Sequence, residues 1–174
     1  MKLKKIVSII LLLGMLFPLY ASNQERDLQA VFLGRFAKFI ELPKEDKNFF
    51  YITLIDENPF DNLLDDLYRD KKIHGKEIKI NYVTNIKDIG YTDILFITLD
   101  NKKKVQEVIN YAQGKSILTI SEQRGFAQRG GIIQLSFVMQ KPHLVINNNS
   151  ANKSGIKITA PLLAIAQEVI KGDK

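Results

Sequence analysis

Apolar residues along this chain change their spacing several times, and each change marks an element. Leu28, Val31, Phe32, Phe36 and Phe39 recur three and four residues apart, which predicts a helix over 24–41 that Leu42-Pro43 ends. Phe49 to Ile55 is a compact apolar and β-branched run, the mark of a buried strand. Asn58-Pro59 opens a second helix, with Asn58 as N-cap, Pro59 at its first position and Leu63, Leu64, Leu67 and Tyr68 on its inner side. Past Gly75, Ile78, Ile80 and Tyr82 alternate with Lys79 and Asn81, so Glu77 to Val83 reads as a half-exposed edge strand.

Asp93 to Leu99 is apolar almost without interruption, as in a central strand covered on both faces. Asp100 is placed to cap the next helix, whose inner stripe is Val105, Val108, Ile109 and Ala112 and whose stop is Gly114. Ser116 to Ile120 supplies a fourth strand. This β-α-β-α-β order implies a parallel sheet with right-handed crossovers. The rhythm then breaks. Ile132 to Val138 and His143 to Asn147 are two strands joined around Lys141-Pro142, and so short a connection joins only antiparallel neighbours. Ile156 to Ile170 closes the chain as a helix, with Thr159 near its start and Leu162, Leu163, Ile165, Ala166 and Val169 facing inward. The fold expected is a single α/β domain: a mixed, mostly parallel sheet of about six strands flanked by helices.

The start of the chain carries a different signal. Lys2, Lys4 and Lys5 precede an apolar run from Ile6 to Leu19, and Leu19 and Ala21 occupy the −3 and −1 positions of a signal-peptidase site. That order predicts a secretory leader over 1–21 and a mature domain over 22–174. The run is about 14 residues, short of the roughly 20 that cross a bilayer core, so no direct membrane anchor is expected after cleavage.

Composition narrows the chemistry. There is no cysteine, which excludes disulfides, lipid attachment, thiol redox work and cysteine-ligated zinc. The formal charge of +6 includes the three leader lysines; without them 22 basic residues face 19 acidic ones. The remaining lysines are scattered, whereas a nucleic-acid surface needs a clustered basic stripe, so no nucleic-acid partner is predicted.

Catalytic motifs fail on inspection. Gly114-Lys115-Ser116 lacks the upstream glycine of a phosphate-cradling loop and leads into a strand rather than a helix. Gly125, Gly130 and Gly131 read as turn residues needing positive φ before the next strand. His74 and His143 stand alone, no Gly-x-Ser-x-Gly elbow exists, and Asp61, Asp65 and Asp66 suit the first turn of a helix better than paired acid–base work. Asp56, Asp100, Thr119 and Ser121 fall at the ends of parallel strands, where an open α/β sheet would offer a ligand crevice or a phospho-receiver its acidic site. Capping and solvation explain them equally. No catalytic residue, metal ligand or cofactor is predicted.

Several segments together resemble the YfiR-like family. Phe32-Leu33-Gly34-Arg35-Phe36-Ala37-Lys38-Phe39-Ile40-Glu41-Leu42-Pro43 is similar to its opening Phe-rich helix, and Asp56-Glu57-Asn58-Pro59-Phe60 to its strand-to-helix turn. Leu118 to Glu122, Gly125-Phe126-Ala127 and Gly130 to Ile133 resemble its most recognisable stretch. Val145-Ile146-Asn147, Ala151, Gly155 to Ile158 and Leu162-Leu163 complete the series in order. The resemblance implies a periplasmic protein, not an enzyme, that represses an inner-membrane signalling protein with a periplasmic sensor domain. In the best-known case that protein is a diguanylate cyclase, so repression lowers cyclic-di-GMP output and biofilm formation; a sensor kinase is the other partner considered. Members can form homodimers.

Such a role needs a contact surface. The loop Arg124 to Gly131 is expected to present Phe126 between Arg124 and Arg129, since an aromatic beside arginines suits an interface hot spot; the alternative is that Phe126 folds back as core. Arg35, Lys38 and Glu41 lie off the apolar stripe of the first helix and mark a second face. Two rivals remain: a periplasmic small-molecule sensor with its cleft near Asp56, Asp100 and Ser121, and an enzyme of unrecognised type, for which no nucleophile–base pair is visible.

Overall fold

A computed structural model describes residues 17–43 and 47–172; the charged and apolar parts of the predicted leader, within 1–16, lie outside them. The first helix, α1, runs Phe17–Ala37 and is followed by a two-residue strand, β1, Ile40–Glu41. The helix thus stops earlier than its apolar spacing suggests. Its deepest side chains are Ala30, Leu33, Phe36 and Ala37, and Phe39, no longer in helical phase, stays 38% exposed.

The main sheet begins with β2, Phe49–Ile55, as its sequence predicts. A short helix α2, Leu63–Tyr68, leads to β3, Lys72–Ile73, and β4, Lys76–Val83. Asn58 does not cap α2. Its side chain accepts from the Phe60 N–H at 3.0 Å and shapes a turn, and the helix begins only at Leu63. Next come β5, Ile94–Ile97, the helix α3, Lys102–Ala112, and β6, Leu118–Ser121. Asn101 rather than Asp100 caps α3, accepting from the N–H groups of Lys103 and Lys104 at 3.0 and 3.1 Å. An Asx side chain adjacent to the first turn reaches those donors, and Asp100 is one residue too early.

The strands β7, Ile133–Val138, and β8, Lys141–Asn147, form the antiparallel hairpin. Its turn is Met139-Gln140, both at positive φ, so Lys141-Pro142 belongs to the strand and not to the connection. The predicted closing helix is replaced by four pieces. After β8 come α4, Asn148–Lys153, then β9, Lys157–Ile158, α5, Ala160–Ala164, and β10, Glu168–Ile170. Gln167 explains the switch: its N–H donates to the Leu144 carbonyl at 2.9 Å and its side chain accepts from Leu144 N–H at 2.5 Å. That double link draws the following residues into parallel pairing with β8, where Val169 lies opposite Ile146.

Strand order in the eight-stranded sheet is β10-β8-β7-β6-β5-β2-β4-β3, parallel from β4 through β7. A separate two-stranded sheet pairs β1 with β9. Each parallel strand divides its side chains between two cores. Phe50, Ile52, Leu54, Ile94 and Phe96 pack beneath α1 and α2, while Ile55, Leu95 and Ile97 pack against Val105, Val108 and Ile109 of α3. Continuous apolar runs are what a sheet buried on both faces demands. The chain starts at β2, steps out to β4, then returns past β2 to β5. That reversal leaves a crevice at the carboxyl ends of β2 and β5.

Candidate interaction surfaces

The loop after β6 was the first candidate, and its aromatic is not presented. Phe126 is fully buried, its N–H donates to the Gln134 side chain at 3.1 Å, and the ring lies directly on Gly131. A Cβ at position 131 would fall 2.1–2.4 Å from that ring, which is why a glycine stands there. Gly125 and Gly130 do adopt positive φ, at 76° and 103°, whereas Gly131 serves close approach instead. Asn147 donates to the Ala127 carbonyl at 2.8 Å and fastens the loop to β8. Arg129 turns inward as well: its guanidinium bonds the Gln123 side chain and the Arg124 carbonyl. Arg124 alone of the three stays outward.

The strand-end crevice is present, with a volume of about 260 Å³, and Glu57, Asp100, Ser121 and Glu122 are in its wall. Asp56 is not among its lining residues; it sits at a positive φ of 90° and points to solvent. The hydroxyls here are already committed. Ser121 Oγ donates to the Ile97 carbonyl at 2.7 Å, Thr98 Oγ1 donates at 2.9 Å to the Ile55 and Glu57 carbonyls, and Thr119 Oγ1 accepts from the Ile132 N–H. Gln29 reaches in from α1 to bond Glu122. These groups hold the strand ends together. Among the described residues no group of three or more His, Asp or Glu is arranged to hold a metal ion. His74 has a structural bond, its ring Nε2 lying 2.8 Å from the Ala37 carbonyl at the end of α1.

The second predicted face is built differently. Arg35 and Lys38, both exposed, stand at the end of α1, and Lys71, just before β3, and Lys72, its first residue, face them. Between them lies a groove of about 330 Å³ floored by Leu67, Tyr68, Ile73 and Ile78. Tyr68 organises this corner. Its hydroxyl accepts from the Gly34 N–H at 2.7 Å and donates to the Ala30 carbonyl at 2.6 Å, two backbone groups one turn apart in α1. Burial, the largest influence, pushes its phenol up to about 12, against smaller opposing effects of the Gly34 N–H and the Arg35 charge. Only a glycine at 34 lets the ring come so near. Lys71 and Lys72 were absent from the sequence-based site; a lysine pair one turn past a buried tyrosine was the available signal.

A cavity of about 700 Å³ opens beside β4 and is walled by Tyr51, Asn81, Asp88 and Tyr91. Its aromatic wall is tied internally: Asp93 accepts from Tyr91 Oη and from Tyr51 N–H, each at 2.7 Å. On the other face of β4, Tyr82 donates to Asp65 at 2.7 Å, and burial with that carboxylate raises its phenol pKa.

A family model described as YfiR/HmsC-like matches residues 26–167. Among solved structures, a conserved domain protein from Vibrio cholerae O1 biovar eltor strain N16961 aligns with a TM-score of 0.50 and 16% identity. The alignment covers 68% of this chain and 54% of that one, so this chain spans about half of the other's length, and the likeness is one of fold. No curated protein matches the chain.

Proposed function

Because the chain belongs to the YfiR/HmsC-like family, we propose that it is a periplasmic regulatory binding protein that represses an inner-membrane signalling protein by direct contact. The observation that carries this reading is the extent of the family match, which takes in every strand up to β9 and leaves only β10 beyond it. The partner class follows from the resemblance: a diguanylate cyclase or a sensor kinase with a periplasmic sensor domain. Export rests on the leader over 1–21, and among the described residues no helix is long and apolar enough to cross a membrane. The strand-end hydroxyls support a binding role over a catalytic one, since each is bonded to backbone and none sits beside a histidine base.

Deleting the gene is expected to raise cyclic-di-GMP and surface attachment, and restoring a leader-bearing copy to lower both. The tagged protein, cross-linked in intact cells, is expected to recover a membrane protein with a cytoplasmic cyclase or kinase domain. No change in either output together with no membrane protein recovered would sink the proposal. The crevice at the strand ends favours a second reading, a small-molecule sensor. Its volume is below the roughly 300–1,000 Å³ usual for ligand sites, and a melting temperature that no tested cationic metabolite raises would retire it.

A further inference from the structure

We propose that the groove between the end of α1 and the β3–β4 hairpin receives an acidic segment of the partner, anchored by apolar side chains on the groove floor. The inference rests on the repressor reading and adds the partner's chemistry and two residues, Lys71 and Lys72. Three observations carry it. First, Arg35, Lys38, Lys71 and Lys72 are all exposed, and none takes part in an ion pair within the described residues. Three other surface cations do: Arg26 with Asp61, Arg69 with Asp66, Lys157 with Glu41. Second, no carboxylate lines the groove. Glu77 stands opposite Lys72 across the hairpin without an ion pair, and Asp70 points to solvent. Four like charges around a low-dielectric floor concentrate a positive field there.

Third, the floor is apolar and concave. Leu67 and Ile78 are half-buried, Tyr68 and Ile73 buried, so the cleft can cover an inserted aliphatic or aromatic side chain. A flat bilayer surface would meet the cationic rim but leave the floor empty. A chain segment carrying carboxylates on either side of one or two apolar anchors fills both. The rim charges would set encounter rate and orientation, and the floor would set residence.

The test uses the full-sequence protein and a dye-labelled synthetic peptide of Glu and Asp carrying two leucines four residues apart. A second peptide has every Glu and Asp replaced by Gln and Asn, and phosphatidylglycerol vesicles form a third arm. The acidic peptide is expected to bind at least tenfold more tightly than its neutral counterpart, with amide shifts confined to Val31–Lys38 and Leu67–Ile78. Single changes Arg35→Gln, Lys38→Gln, Lys71→Gln and Lys72→Gln should each weaken it about two- to threefold, and all four together by more than about tenfold. The triple change Lys102→Gln/Lys103→Gln/Lys104→Gln on α3, equally exposed but on the other face of the sheet, should leave binding within about twofold. The proposal is overturned if both peptides bind alike, if the four-site variant binds like the parent, or if vesicles are bound in preference to the peptide. A photo-cross-linker at Lys71 and another at Lys104, compared in cells, separate this from the wider reading. Capture of the membrane protein at Lys104 alone removes the groove and keeps the repressor, while capture at neither position removes both.

Discussion

Gly34→Ala should reverse the usual sign of its substitution. Inside a helix, exchanging glycine for alanine ordinarily gains about 1 kcal/mol. Here an added Cβ would lie 2.5 Å from Tyr68 Oη and 2.6 and 2.8 Å from two ring carbons, in a corner where Tyr68 is only 5% exposed. Overpacking of that kind costs about 1–3 kcal/mol, and displacing the hydroxyl from its two backbone partners adds about 1 kcal/mol. Set against the helix gain, the net loss is about 1–3 kcal/mol, a fall in melting temperature of about 2–12 °C for a domain of this size. Urea unfolding followed by circular dichroism reads it directly. In a Tyr68→Phe background the ring carbons remain and the loss should persist. In a Tyr68→Ala background the obstacle is gone and Gly34→Ala should become neutral or stabilising. Stabilisation in the parent, or the same loss with and without the ring, would refute the reasoning.

Tyr68→Phe itself should cost less than about 1 kcal/mol, because the Gly34 N–H and Ala30 carbonyl stand in i→i−4 register within α1 and keep each other as partners. The folded state holds the Tyr68 proton more tightly than the unfolded chain, so its contribution is complete below pH 10 and is lost as pH rises towards about 12; the variant's stability curve should be flatter across that window. Thr53 is fully buried with an unpartnered hydroxyl, so Thr53→Val should stabilise by about 1 kcal/mol, read as a higher urea midpoint at unchanged slope. Phe126→Ala should destabilise by about 3–5 kcal/mol, because the ring fills a closed site against Gly131; a near-native melt would return the residue to the surface.

The central part of the fold was legible because its signals are local and unambiguous. Phe49–Ile55 and the α3 stripe of Val105, Val108, Ile109 and Ala112 each had one pattern and one reading, and both stand. The last segment reads as one helix in the sequence and is not one. Ile156, Ile158, Val169 and Ile170 are β-branched residues scattered through a helical spacing, and only tertiary partners, Leu144 for Gln167 and Ile40 for Ile158, decide for strands. The Met139-Gln140 turn was hidden because neither residue is a glycine or asparagine, and α4 because its polar run buries only Ala151. Of the candidate site, Arg35 and Lys38 fall on an exposed basic rim, while Phe126 illustrates a limit of composition. An aromatic between arginines reads as an interface anchor until the neighbouring Gly131 is known to press on its ring. Spacing alone does not report such a contact.

The pairing of β1 with β9 has a kinetic consequence. Glu41 and Lys157, bonded at 3.0 Å, are 116 residues apart in the chain. As the polypeptide is made or threaded in from its amino end, the opening helix must wait for almost the whole remainder before that clasp can close. Until then Leu33, Phe36 and Ile40 have no finished core to enter. Refolding should therefore be slow for a protein of this length, and a chain lacking its last twenty residues should present those side chains to chaperones rather than fold around them.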